Sequence, residues 1–111
     1  MYFVDEEHER TFRILVEEHD RTGDREYLAA YYVLTADEEL RRKTLRFVRK
    51  DGIPWLLIWE QDWSSGYQLL LKLAEHLFMG GEVDLVRGVR TWGDTLYKIA
   101  IQAIEVRRKG I

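Results

Sequence analysis

The chain has 111 residues, 46% of them hydrophobic and 33% charged, with one proline and no cysteine. That length suits a single domain spanning residues 1–111 with a core of its own, and the composition excludes a linker, a disordered tail and a disulfide scaffold. Without cysteine there is no thiolate nucleophile and no cysteine-based zinc site, and a formal charge of −3 is not the basic balance of a dedicated nucleic-acid binder.

The charges are placed unevenly. Residues 5–26 carry nine acids against four bases, whereas residues 41–50 carry six bases and no acid. The opening MYFVDEEHER has neither a basic leader nor an apolar run, and no apolar segment approaches the roughly 18 residues needed to cross a bilayer. A cytoplasmic domain without a membrane span is the expectation.

The first helix is expected from Asp5 or Glu6 to about Asp20, with the acids of DEEHE in the first turn, where the helix dipole favours them. Its apolar stripe, Phe12, Leu15 and Val16, is narrow and edged by His8 and His19, so it reads as a surface helix. Thr22-Gly23-Asp24 is a turn with Asp24 as N-cap. Tyr27–Leu34 is eight apolar residues in a row; its leucines and alanine pair favour helix over strand.

Thr35-Ala36-Asp37-Glu38 has the T-x-x-E form of a capping box, opening a helix with Leu40, Thr44, Phe47 and Val48 inward and the bases 41–50 at its end. Asp51-Gly52 ends it. Pro54 suits the first position of a short helix from Trp55 to about Gln61.

The stretch Trp63–Gly81 is read as the central helix. Ser65-Gly66-Tyr67-Gln68 has the capping-box form and Gly80-Gly81 supply a left-handed close. The apolar positions sweep roughly 200°, leaving a polar strip of Gln68, Lys72, Glu75, His76 and Met79. Beyond it Asp84 caps a single turn with Gly88 and Gly93 as breaks. The last helix, from Asp94 to about Arg108, turns Leu96, Ile99, Ala100, Ala103 and Ile104 inward. With no strand of clean period two and no repeat, the fold class is an all-α bundle of five or six helices with no sheet.

Three stretches, MYFVDEEH, DREYLAAYYVLTADEEL and QDWSSGYQLLLKLAEHLF with the following Gly80-Gly81 and VDL, resemble a family of short helical proteins from Gram-positive bacteria and their phages, classed as a domain of unknown function. The resemblance covers most of the chain, and WGDTLYKI departs from it. It implies a small cytoplasmic helical domain, with a mobile-element setting, and brings no catalytic residue.

Five groups of residues carry candidate chemistry or contacts. His8, Phe12, Leu15 and His19 share one helix face, and with Glu75-His76 the two imidazoles could gather a metal, but no H-E-x-x-H and no His pair at i, i+4 is present. Ser64-Ser65-Gly66 lacks both the nucleophile-elbow and the phosphate-loop patterns, and capping explains it. The acid pairs of DEEHE and TADEEL stand in first turns, where acids are expected without catalysis. No enzyme and no cofactor are expected.

The run 41–50 offers Arg42, Arg46, Arg49 and Lys50 as phosphate contacts on one helix face, the basis of an alternative reading as a nucleic-acid-associated regulator. The most unusual segment is Ile53–Trp63, IPWLLIWEQDW. Its Trp55, Leu56, Ile58, Trp59 and Trp63 are either core or the anchors of a partner interface, since aromatic side chains dominate binding energy. The leading expectation is a non-catalytic protein–protein interaction module, with a homodimer as one form of it and an inhibitor or adaptor role implied by the resemblance.

Overall fold

Every residue from Leu28 to Ala36 is fully buried, and the rest of the chain wraps around them. The computed structural model describes residues 1–111 and contains seven helices: α1 (Glu6–Glu18), α2 (Arg25–Leu34), α3 (Glu38–Thr44), α4 (Trp55–Trp59), α5 (Ser65–Met79), α6 (Leu85–Thr91) and α7 (Asp94–Lys109). The one strand-like feature is an antiparallel bridge between Arg49 and Gly52. No helix is long and apolar enough to cross a membrane.

The all-α expectation is met, with seven helices in place of five or six. The added one is α6, two turns where a single turn was expected, and Gly88 lies inside it instead of breaking it. The centre is α2, not α5. A helix apolar all round can only sit inside, and Ala29 and Ala30 let its neighbours approach closely. It packs chiefly on α5 and α7, with α1 and α3 on its remaining sides. Tyr31 and Tyr32 are fully buried there, and their hydroxyls meet His19 Nδ1 (2.8 Å) and the Tyr2 carbonyl (2.6 Å). A buried tyrosine is tolerable only when its hydroxyl has such a partner.

Several helix ends shift from the expected residues. Asp37, not Thr35, caps α3, accepting from Leu40 N–H at 2.8 Å. Thr35 closes α2, and its hydroxyl donates back to Tyr31 O at 2.7 Å. Of the two serines expected at the start of α5, Ser64 is the cap, its hydroxyl accepting from Tyr67 N–H. Gly80 ends α5 at φ 85°, a conformation that disfavours a side chain.

The basic helix 41–50 is interrupted. The Thr44 hydroxyl donates to Leu40 O (2.7 Å), a back-bond that weakens a helix. Phe47 N–H then reaches Thr44 O and Val48 N–H reaches Leu45 O, tight turns that drop Val48 into the core. Arg49 and Gly52 exchange backbone hydrogen bonds around Lys50-Asp51.

The solvent-accessible surface is 6388 Å² for 13.3 kDa. A folded monomer of that mass exposes about 6,450 Å², so the core is closed within one copy of the chain. A partner therefore adds to the outside of this bundle and does not complete its inside.

Candidate interaction surface

The tryptophan segment divides between core and surface. Trp55, Ile58 and Trp63 are buried, and Trp63 Nε1 donates to Ile58 O at 2.8 Å. These three are therefore removed from the expected interface. Trp55 packs against Phe78 (ring centroids 5.8 Å apart), joining α4 to α5. Leu56 points outward and is 81% exposed. Trp59 is half-buried, with Lys72 Nζ 4.5 Å from its ring and Glu75 accepting from its indole N–H at 3.3 Å.

Trp59 marks one end of an open groove of about 1150 Å³ between the outer face of α5 and the segment leading into α6. Leu69, Val83, Leu85 and Val86 provide its other apolar lining, and Ser65, Gln68, Lys72 and His76 come from the polar strip of α5. The Gly81 carbonyl accepts from His76 Nδ1 at 2.7 Å, fixing the turn that separates the two walls.

The orientation of α6 follows from two residues. Gly88 faces the ring of Trp92, whose indole N–H donates to Gly66 O at 3.0 Å and so ties the end of α6 to the start of α5. The inward side of α6 is thus used by a glycine resting on a tryptophan, and its larger apolar side chains are left outside. Leu85 is 43% exposed, Val86 68% and Val89 50%. Isolated exposed apolar residues are ordinary, but three on one two-turn helix, two of them also lining the groove, form a patch. Arg87 and Arg90 on the same helix are exposed and form no ion pair. Sequence reasoning missed this ridge. The signal was present in LVRGV, apolar at i, i+1 and i+4, but Gly88 reads as a breaker when the Trp92 ring beneath it is unknown.

The proposed phosphate contacts do not come together. Arg46 reaches Gln61 (3.2 Å), Arg49 Nη1 donates to Arg46 O (2.9 Å), and Arg42 is exposed without a partner. Arg49 and Lys50 instead border a polar cleft with His19, Asp20, Arg21 and Asp51, where the two carboxylates oppose a phosphate. Arg41 and Lys43 hold backbone carbonyls, Thr35 O at 2.9 Å and Asp62 O at 2.5 Å. Most of the run is thus engaged in joining loops.

The histidines also stand apart. His8 is fully buried between the Val4 amide and the Tyr32 carbonyl, His19 bonds Tyr31, and His76 bonds Gly81. No group of three or more His, Asp or Glu side chains is placed to hold a metal. Burial pushes the Tyr31 phenol up to about 12 and lowers the His8 imidazole below its usual value. Both neutral forms are the ones that the structure uses.

No family model matches the chain, and no curated protein and no solved structure matches it either.

Proposed function

We propose that the protein is a non-catalytic interaction module whose working surface is the α5/α6 groove and the ridge beside it, and that a second copy of the chain occupies that surface. The observation that carries this reading is that the exposed Leu85, Val86 and Val89 share one face with a groove whose remaining apolar lining is Trp59, Leu69 and Val83. A two-fold axis lets each copy seat its ridge in the groove of the other, the isologous arrangement that closes a dimer. The charges favour a self-complementary match as well. Lys72 and Arg87 line the groove together with Glu82 and Asp84, so both signs are present on the face and neither dominates. A strongly acidic or basic partner finds less complementarity here.

The resemblance to short helical proteins of Gram-positive bacteria and their phages supports an inhibitor or adaptor role within a mobile element, and the cysteine-free chain suits the cytoplasm. The alternative reading through Arg42, Arg46, Arg49 and Lys50 loses its main support, a continuous basic helix face.

Light scattering coupled to size-exclusion chromatography tests the proposal, on the wild type and on Val86→Glu. The expected result is a wild-type dimer and a monomeric variant with an unchanged circular dichroism spectrum, because Val86 supports no core contact that charge would break. A wild type that stays monomeric at about 100 µM, well above the micromolar range of an ordinary weak dimer, overturns the second-copy reading.

A further inference from the structure

His8 has an unusual pair of hydrogen bonds for a fully buried imidazole. Its Nδ1 accepts from the Val4 amide at 3.1 Å, and its Nε2 lies 2.8 Å from the Tyr32 carbonyl, to which it donates. An amide can only donate and a carbonyl can only accept, so the pair selects one neutral tautomer with its proton on Nε2. A second proton has one place to go. It lands on Nδ1, where it points at the Val4 N–H and finds no acceptor.

The bond thus threatened holds residues 2–4 onto the bundle. Two others help it: Tyr2 N–H donates to Gln102 Oε1 on α7 at 2.7 Å, and the Tyr32 hydroxyl donates to Tyr2 O at 2.6 Å. Phe3 lies over the rings of His8, Phe12 and Tyr32, with centroids 5.1, 5.8 and 5.8 Å away. Those three rings are fully buried while the strap is closed.

We propose that residues 2–4 form a strap latched by the neutral His8 imidazole, which acid opens to uncover the aromatic surface of His8, Phe12 and Tyr32. The asymmetry of the two bonds makes the opening local. Nε2 carries a proton in both the neutral tautomer and the imidazolium, so the tie from α1 to the Tyr32 carbonyl survives, and the tie to Val4 does not.

The surroundings set the direction. Burial disfavours the imidazolium most, and it outweighs the Tyr32 carbonyl, which favours it. Of the charged groups facing His8, Asp5 at the α1 cap and Asp37 at the α3 cap favour the charged form, and Arg41 on α3 opposes it. From α2 the facing group is the Tyr32 phenol, which burial keeps neutral, and Lys98 of α7 stands over Tyr2 on the strap itself. The folded value lies below the usual 6.5. Closure is therefore complete above about pH 6.5 and is lost as pH falls through the depressed value.

Amide hydrogen exchange followed by nuclear magnetic resonance from pH 7.5 to 5.0 tests this on the wild-type chain. The protection factor of the Val4 amide should fall about tenfold per pH unit below 6.5, in step with opening linked to one proton, while the α2 and α5 amides stay protected. Phe3→Ala, which removes the packing but no latch atom, should move the opening to higher pH. His8→Asn, whose side-chain oxygen can replace Nδ1 as acceptor, should abolish the pH dependence of Val4 protection. Constant Val4 protection across the range overturns the proposal, as does loss of α2 protection at the same pH as Val4, which would mean unfolding of the whole domain. The strap lies on α1, α2 and α7, so the outcome is independent of whether Val86 forms a dimer contact.

Discussion

Gly88 rests against Trp92 so closely that a β-carbon added to it would stand 2.5 Å from the indole ring. Alanine is favoured over glycine inside a helix by about 1 kcal/mol, but forcing a methyl into a packed contact costs about 1–3 kcal/mol. Backbone lies on one side and a ring anchored to Gly66 on the other, so the clash wins. Gly88→Ala should lower the melting temperature by several degrees, whereas Gly23→Ala, in the turn before α2 with nothing within 4 Å of its new methyl and no positive φ, should leave it within about a degree. Calorimetry of the two variants side by side checks this. Equal melting points would mean that α6 is not seated on Trp92.

The neighbours Trp55 and Leu56 should differ sharply. Trp55 is 7% exposed and packs on Phe78, so Trp55→Ala should cost about 3–5 kcal/mol, a large part of the 5–15 kcal/mol that holds such a domain together. Leu56→Ala should change stability by no more than about 0.5 kcal/mol. Urea unfolding followed by tryptophan fluorescence separates them. An equal loss at both positions would contradict the division of this segment between core and surface.

That division also shows what the sequence made legible. The fold class follows from the helical spacing of apolar residues, and the leucines and alanines of Tyr27–Leu34 point to the helix that the structure contains. Which helix is central did not follow, because α2 and α5 both carry wide apolar faces and only packing decides between them. The candidate site was less legible still. Trp55 and Trp59 look alike in sequence, yet one faces Phe78 and the other faces Lys72 and the groove. Three apolar side chains of α6 would be assigned inward by any amphipathic rule, and they point outward because a glycine and the next tryptophan fill the inward side. The start of α3 is ambiguous for a related reason: T-A-D-E contains two good caps, and the end of α2 takes the buried hydroxyl of Thr35, leaving Asp37 to cap α3.

Tyr31 should give the fold an alkaline limit. Its phenol is pushed up to about 12 by burial, against about 10 in an unfolded chain. The folded state thus holds the proton that the unfolded state releases, and the contribution to stability is complete below pH 10 and is lost as pH rises toward 12. Tyr31→Phe should cost about 1 kcal/mol at pH 7, through the lost bond to His19, and should narrow the stability gap to wild type above pH 10. Denaturant midpoints at pH 7, 9 and 11 measure it. A gap that stays the same from pH 7 to pH 11 would show that the phenol ionises as freely in the folded state as in the unfolded one.

Asp37 joins two elements, and its removal should exceed the loss of an ordinary cap. One carboxylate oxygen accepts from Leu40 N–H at the start of α3, and the other accepts from the Tyr67 hydroxyl on α5. Loss of an N-cap costs about 1 kcal/mol, and leaving a half-buried phenol without its acceptor adds about 1–2 kcal/mol. Asp37→Ala should therefore lose about 2–3 kcal/mol, and Tyr67→Phe should recover part of that in the double variant, since the orphaned hydroxyl is then gone. Thr35→Ala separates this from the capping box that the sequence suggests: its hydroxyl bonds only α2 carbonyls, so its loss should leave α3 capped and cost about 1 kcal/mol or less. A double-mutant cycle from chemical denaturation gives all four values. A coupling of zero between positions 37 and 67 would remove the link from α3 to α5 and leave Asp37 as a cap alone.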